Sequence, residues 1–179
     1  MNRENTMTDL NRRTFLGALT TAGLGAVAGC TSTNQSTPNF ETGGNEKRLR
    51  QAATTYLTSP TLYKAPSCTC CDGHEKYLES TTDAEITVNE VNDLKAVKSK
   101  FNIPKKLESC HTLDIEQYVV EGHVPREAIG KLALETPDIL GIALPKMPAG
   151  SPGMGGEKTE EFIIYAIEND GNYREFITI

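Results

Sequence analysis

From about residue 60 onward, short stretches of alternating or β-branched character are followed by segments with helical periodicity. Thr61 to Lys64 and the run from Ile86 to Val91 predict two strands. The first strand leads to a predicted helix over about residues 72–80. The second leads to a helix that begins at Asn92 or Asp93 and repeats apolar residues at i, i+3 and i+7. This order of strand, helix, strand, helix predicts an α/β fold whose chemistry lies where a strand meets the following helix.

The second half of the chain contains further strand patterns, one more helix and a distinctive loop. Residues 110–115 and 117–121 predict two strands, and a helix after Pro125 presents apolar residues on one face. Three prolines and four glycines within residues 145–156 predict a loop. The polar turn at residues 169–172 lies between two apolar stretches and predicts a C-terminal hairpin. We therefore predict a small mixed sheet flanked by helices in a thioredoxin-like arrangement, with the Pro/Gly loop and the hairpin added.

The N-terminal segment has the pattern of an export signal. Arg12 and Arg13 directly precede an apolar stretch from Phe15 to Gly29, which favours the twin-arginine route, with an ordinary secretory signal as the alternative. Cys30 follows small residues, as in a lipoprotein box, so we expect a lipidated Cys30 to anchor the protein on the outer face of the cytoplasmic membrane. The predicted organisation is a signal over residues 1–29, a flexible stalk over residues 30–51 and a metal-binding domain over residues 52–179.

Length and charge exclude several classes of protein. A chain of 179 residues holds one ordinary globular domain and is too short for a TIM barrel. The formal net charge of −6 provides no broad basic face, so nucleic acid is not an expected partner. A mean hydropathy of −0.40 argues against a polytopic membrane protein. The five cysteines and three histidines are therefore the informative residues.

A cluster of cysteines precedes the first predicted helix. It consists of Cys68, Cys70 and Cys71. Cys68 and Cys71 form a CxxC pair, which suits thiol–disulfide exchange because a helix N-terminus favours thiolates. Cys70 is either a competing thiol or a third soft metal ligand. Once Cys30 is assigned to the lipid, Cys110 is the fourth thiol, and two stabilising disulfides are the structural alternative to a thiol-rich site.

Histidines and methionines supply further donor atoms. The histidines are His74, His111 and His123. If the helix includes Cys70, His74 lies at i+4 on the same face and within reach of a shared ion, whereas a solvated helix residue is the alternative. Met147 and Met154 lie in the Pro/Gly loop, where thioethers suit Cu(I) and ordinary loop packing is the alternative. Zinc is the rival ion, but structural zinc sites usually take two separated Cys/His pairs.

Four ordered motifs together form a specific pattern. They are Cys-Thr-Cys-Cys at 68–71, Cys-His-Thr at 110–112, Gly-His-Val-Pro at 122–125 and Met-Pro-Ala-Gly-Ser-Pro-Gly-Met at 147–154. This pattern resembles a family of exported metal-binding proteins that includes the CopG-like proteins of copper-resistance clusters. The resemblance implies a thioredoxin-like fold that binds copper and has a redox role in copper handling. Position by position, it implies the metal ligands Cys68, Cys70, Cys71, Cys110, His111, His123, Met147 and Met154.

Three functions follow from these observations. The leading hypothesis is a copper-binding protein of the cell exterior that takes up Cu(I), with several ions sharing bridging thiolates, and protects the cell or passes copper on. The alternative is a thiol–disulfide or copper oxidoreductase in which Cys68 attacks and Cys71 resolves. A third hypothesis is an anchored domain that is stabilised by disulfides and binds a partner protein. This hypothesis leaves the loop methionines unexplained. Copper ions, and a copper exporter or another copper-handling protein, are the expected partners.

Overall fold

A computed structural model describes residues 45–179, which contain four helices and seven strands. The helices are α1 (Glu46–Tyr56), α2 (Thr69–Thr81), α3 (Leu94–Lys100) and α4 (Arg126–Glu135). The strands are β1 (Thr61–Lys64), β2 (Thr87–Glu90), β3 (His111–Ile115), β4 (Tyr118–Glu121), β5 (Gly141–Ala143), β6 (Ile163–Ile167) and β7 (Tyr173–Thr178). All seven strands belong to one sheet in the order β2-β1-β3-β4-β5-β6-β7.

The sheet is mixed, which confirms the predicted α/β class. Helix α2 connects β1 to the parallel neighbour β2, and β1 also pairs with the antiparallel strand β3. Strand β4 is antiparallel to β3 and parallel to β5, and β6 and β7 form the predicted C-terminal hairpin. The thioredoxin-like label stays a prediction. The cysteine cluster lies where β1 meets α2, the kind of junction at which the order of elements predicts the chemistry.

The strand register determines which residues meet at the start of β3. Lys64 at the end of β1 lies opposite His111, and Thr112 lies opposite Glu121 on β4. Successive side chains of a strand point to opposite faces of the sheet. His111 and Thr112 therefore face different sides, and each side has its own set of buried partners.

The two faces of the sheet carry separate cores. The larger core packs α2 and α4 against one face, with buried residues such as Leu78, Leu113 and Ile129. The smaller core lies on the other face and includes Ile103 and Val119. Buried apolar side chains on both faces fix the sheet between its helices, because each removes apolar surface from water.

Helix α1 corrects one boundary of the sequence analysis. Residues 46–51 were expected in the flexible stalk, but they belong to α1, in which Leu49 and Ala53 are buried. The helix packs closely on α4, where a Cβ on Gly130 would lie 1.9 Å from the carbonyl oxygen of Leu49. The ion pair between Arg50 Nε and Glu127 Oε1, at 2.9 Å, joins the same two helices. Tertiary packing therefore extends the folded part at least to Glu46.

The predicted export signal and the predicted lipidation site, Cys30, lie outside the described residues. Among residues 45–179, no helix is both long enough and apolar enough to cross a bilayer.

Candidate metal centre

The cysteine cluster lies at the turn between β1 and α2. Cys68 is the N-cap of α2, and it forms a disulfide with Cys71 in the first turn, with 5.4 Å between their Cα atoms. Cys70 and Cys110 are free thiols. The Sγ atom of Cys70 lies 3.6 Å from that of Cys68 and 3.9 Å from that of Cys110. All four sulfur atoms lie within 4.8 Å of one another, so the fold brings together every cysteine that the sequence predicts as a metal ligand.

A buried lysine holds this turn against the sheet. Lys64 Nζ lies 3.0 Å from Asp72 Oδ1 on α2 and 3.0 Å from Glu90 Oε1 on β2. Hydrogen bonds to Glu90 and then Asp72 raise the pKa of Lys64, although burial acts in the opposite direction. The ammonium group therefore joins β1, α2 and β2 at the point where the cysteine turn begins.

A second group of donor atoms shares Cys110 with the first. Cys110 Sγ lies 3.0 Å from His123 Nε2 and 3.3 Å from His111 Nδ1. The sulfur and one nitrogen of each ring lie within 4.8 Å of one another. Cys110 and His111 come from the start of β3, and His123 comes from the turn after β4. The hydrogen bond from Gly122 N to His111 O, at 3.0 Å, keeps this turn beside β3. Cysteine and histidine donors therefore form one continuous centre around Cys110.

Burial sets the protonation of this centre. The three histidines are 0% exposed, whereas Cys68, Cys70 and Cys110 are partly accessible. Burial lowers the pKa of all three histidines, that of His74 to about 3. Burial, followed by the neighbouring Cys70, raises the pKa of Cys110 to about 12. At neutral pH the rings and the Cys110 thiol are therefore uncharged, and a cation that binds Cys110 must displace its proton.

His74 lies behind His111 rather than among the cysteines. Helix α2 includes Cys70, as the i+4 argument required, but the His74 ring faces the other histidines. Its Nδ1 lies 2.8 Å from His111 Nε2, and its Nε2 lies 3.0 Å from the carbonyl oxygen of Val124. Protein atoms thus engage both ring nitrogens. His74 contacts the candidate ligand set through His111 and belongs to neither group of candidate ligands within the described residues.

The Pro/Gly loop packs on the start of α2. A Cβ on Gly73 would lie 2.5 Å from the carbonyl oxygen of Gly153, so the two backbones approach too closely for larger residues. The carbonyl oxygen of Pro152 accepts a hydrogen bond from His123 Nδ1 at 2.7 Å. The loop is therefore attached to the histidine side of the centre, which consists of Cys110, His111 and His123.

The two loop methionines have different surroundings. Met147 is 38% exposed and has a positive φ of 48°, directly after Lys146 with φ 70°. Met154 is half-buried and directly follows Gly153, the residue that contacts α2. Metal coordination by either thioether stays a prediction.

Residues 107–154 match DUF411, a family described as proteins of unknown function. Two solved structures, named copper resistance protein copG form 1 and form 2, have a TM-score of 0.63 each. They are 33% and 34% identical to this chain, of which they cover 69% and 68%, and the matches include 98% and 97% of their own chains. This chain belongs to the CopG-like family. No curated protein matches it.

The DUF411 match contains most of the histidine side of this CopG-like chain. It includes Cys110, His111 and His123 together with the methionine loop, whereas the cysteine turn precedes it. The matches to the two solved structures cover more than two thirds of this chain, a far larger share than residues 107–154. Family membership therefore rests on the full domain and not on one motif.

The CopG-like chain also contains a buried charged network that the sequence analysis missed. Lys98 of α3 is 3% exposed and forms an ion pair with Glu121, which is 0% exposed. Lys98 Nζ donates to Thr112 Oγ1 at 3.2 Å, and Thr112 Oγ1 donates to Glu121 Oε2 at 2.6 Å. Ser109 N donates to Glu121 Oε1 at 2.5 Å. The network holds the residues that precede and follow the Cys110-His111 pair.

Opposing effects act on the carboxyl group of this network. Burial raises the pKa of Glu121, whereas Lys98 and the hydrogen bonds from Thr112 and Ser109 act in the opposite direction. The sequence contains one signal of this network, the charged residue Glu121 at the end of the otherwise apolar strand Tyr-Val-Val-Glu. Its partner Lys98 lies 23 residues away and no local pattern connects the two.

Proposed function

We propose that this chain is a lipid-anchored copper-binding protein of the cell exterior that binds Cu(I) for copper handling or resistance. The convergence of four sulfur atoms and two imidazole nitrogens around Cys110 carries the proposal. Thiolate, imidazole and thioether donors match the soft character of Cu(I). The names of the two solved relatives, copper resistance proteins, support copper over zinc.

The oxidation state of the cysteines determines how many ligands are available. With the Cys68–Cys71 disulfide formed, Cys70, Cys110 and the two histidines remain as donors. Reduction of the disulfide takes two electrons and two protons from a thiol reductant and yields two further thiols. Each thiol that then binds copper releases its proton. Full binding capacity therefore belongs to the reduced protein.

Two groups of donor atoms that share one sulfur favour more than one copper ion per chain. The first group consists of the four cysteines, and the second consists of Cys110, His111 and His123. A thiolate can bridge two Cu(I) ions, so Cys110 is the natural bridging ligand. Met147 and Met154 would complete the coordination from the loop.

Copper titration of the reduced protein tests the proposal. We expect the full-length protein, kept anaerobic with reductant and washed after excess Cu(I), to retain at least one ion per chain. Cys70→Ser and Cys110→Ser should each lower the bound copper, whereas Cys30→Ser, at the predicted lipidation position, should not. No retained copper in the reduced wild-type protein would refute the proposal.

The methionine ligands need a separate test. Replacement of both Met147 and Met154 by Leu keeps the apolar volume but removes the thioethers. We expect a lower Cu(I) affinity with unchanged thermal unfolding. An unchanged affinity would remove the methionines from the ligand set.

A thiol–disulfide oxidoreductase is the second candidate function. The Cys68–Cys71 disulfide at the N-terminus of α2, with the free Cys70 sulfur 3.6 Å from Cys68, favours it. Cys70→Ser separates the two functions, because it leaves the Cys68/Cys71 dithiol intact. Loss of copper with retained insulin reduction supports copper binding, and the opposite pattern supports the oxidoreductase.

The export route and the lipid anchor are further parts of the proposal, and they rest on the sequence. Arg12 and Arg13 support twin-arginine export, and Cys30 supports lipidation. Replacement of both arginines by Lys should leave the precursor in the cytoplasm, and Cys30→Ser should release the exported protein from membranes. Normal export of the Lys variant would contradict the twin-arginine route. A copper exporter or another copper-handling protein is the proposed partner.

A further inference from the structure

Two backbone carbonyl groups determine the tautomers of His74 and His123. A carbonyl oxygen only accepts hydrogen bonds. His74 Nε2 lies 3.0 Å from Val124 O, and His123 Nδ1 lies 2.7 Å from Pro152 O, so these two nitrogens carry the ring protons. In a neutral imidazole the other nitrogen is an acceptor. His74 Nδ1 and His123 Nε2 therefore carry free electron pairs.

The assignment extends from His74 to His111. His74 Nδ1 lies 2.8 Å from His111 Nε2 and must accept, so His111 Nε2 donates its proton to His74. The remaining nitrogen, His111 Nδ1, then carries a free electron pair, and it lies 3.3 Å from Cys110 Sγ. His123 Nε2 directs its own electron pair at the same sulfur from 3.0 Å. Two electron pairs thus converge beside one thiol.

We propose that His74 is a positioning residue of the metal centre, because it holds His111 in the tautomer whose Nδ1 is free to bind copper. The inference rests on the proposed copper-binding function and assigns a role to a histidine that is not itself a ligand. A metal-bound histidine commonly donates its other ring N–H to a partner that fixes its tautomer and orientation. Here the partner is a neutral imidazole, which in turn is held by a carbonyl group.

Loss of the His74 acceptor changes the balance between the two His111 tautomers. The His111 ring is fully buried, so its ring proton cannot be satisfied by bulk water. Without His74 Nδ1, the neighbour that remains for a His111 ring N–H among these contacts is Cys110 Sγ at Nδ1. The proton would then occupy the nitrogen that the metal needs.

A first experiment reads the tautomers without any metal. A two-bond ¹H–¹⁵N correlation spectrum of the metal-free full-length protein at neutral pH identifies the protonated nitrogen of each histidine. We expect Nε2–H for His74 and His111, and Nδ1–H for His123. A wild-type His111 protonated at Nδ1 would overturn the inference.

A second experiment uses two variants at the same position. In His74→Asn, Oδ1 takes the place of His74 Nδ1 and accepts from His111, whereas His74→Leu removes the acceptor. Both variants leave the Val124 carbonyl without the ring N–H, so their difference reports only the acceptor at His111. We expect His74→Leu to move the His111 proton to Nδ1 and to lower Cu(I) affinity about 10- to 100-fold, as for other residues that orient a metal ligand. His74→Asn should keep the Nε2–H tautomer and lose less than about 3-fold in Cu(I) affinity, since the acceptor is conserved.

The outcomes separate this inference from the proposed function. Equal affinities of the folded Leu variant and the wild type, or equally large losses in both variants, would overturn the positioning role. If wild-type protein binds no Cu(I), the proposed function fails, and the metal-free spectra of the wild type and His74→Leu still decide whether His74 sets the His111 tautomer. If His74→Leu does not fold, the wild-type spectrum and the Asn variant keep the inference open to refutation.

Discussion

Lys98→Met removes one partner of the buried ion pair between Lys98 and Glu121, beside the candidate metal centre. Lys98 is 3% exposed and Glu121 is 0% exposed, so neither charge is solvated from outside. Methionine fills the aliphatic volume of the lysine but leaves the carboxylate with hydrogen bonds from Thr112 and Ser109 alone. Removal of one partner from a buried pair costs about 3–5 kcal/mol. We expect a loss of this size in the free energy of unfolding, which is a large fraction of the stability of a typical domain.

A double variant isolates the charge as the cause. Glu121→Gln in the Lys98→Met background removes the second charge and keeps an oxygen for Ser109 N–H. We expect the double variant to unfold within about 1.5 kcal/mol of the wild type, because what is lost is then comparable to one neutral hydrogen bond. Lys95→Met, an exposed lysine on the same helix, is the matched control and should change stability by less than about 0.5 kcal/mol.

Urea denaturation of the reduced, metal-free protein, followed by circular dichroism, measures these differences. The pH dependence adds a second criterion, because burial raises the pKa of Glu121 and Lys98 opposes that effect. Without Lys98 the folded state binds the carboxyl proton more readily than the unfolded state, so the defect of Lys98→Met should shrink as the pH falls from 7.5 towards 5. A cost below about 1 kcal/mol for Lys98→Met, or a double variant no more stable than the single one, would refute the reasoning.

Three further predictions concern the packing and the pH response. Gly130→Ala would place a Cβ 1.9 Å from Leu49 O, so it should lower the free energy of unfolding by about 1–3 kcal/mol and loosen the packing of α1. Urea denaturation measures the stability, and limited proteolysis measures the exposure of α1. An unchanged stability and cleavage rate would contradict the α1–α4 contact. Gly73→Ala would place a Cβ 2.5 Å from Gly153 O, so it should displace the Pro/Gly loop and lower the Cu(I) affinity measured by chelator competition. Gly155→Ala is the control, because its added Cβ has no atom within 4 Å, and it should leave the affinity unchanged. Equal affinities of the two variants would argue against a role for the loop in copper binding. Burial lowers the pKa of the three histidines, so stability should be full above about pH 6.5 and fall at lower pH, by at most about 1.4 kcal/mol per pH unit for each ring. Urea titrations between pH 7.5 and 5 check this response, and a flat profile would show that the rings are not buried in the neutral form.

Local sequence patterns were sufficient to predict the order of most helices and strands. β-branched and alternating runs marked β1, β2 and the hairpin of β6 and β7, and prolines or capping residues marked the ends of α3 and α4. These signals are local because strand and helix periodicities repeat within a few residues. The position of the cysteine turn before α2 follows from the same patterns, although α2 begins at Thr69 and includes Cys70 and Cys71 in its first turn.

Helix α1 shows where local patterns fail. The segment Glu46 to Gln51 is almost entirely polar, and its composition resembles a linker. It is helical because Leu49 and Ala53 are buried and because Gly130, about 80 residues later, permits the close approach of α4. Short helices gain most of their stability from tertiary packing, which the composition of the segment does not reveal.

The kinds of donor group in the candidate centre could be predicted from the sequence, because each residue type specifies a thiol, an imidazole or a thioether. Their arrangement depends on contacts between distant residues. His74 and His111 are 37 residues apart, and the pairing of β1 with β3 beside α2 brings His74 Nδ1 within 2.8 Å of His111 Nε2. The same pairing makes His74 a hydrogen-bond partner of the candidate ligand His111. The tautomer of each ring then depends on which backbone carbonyl lies beside it, and that is a property of the folded chain alone.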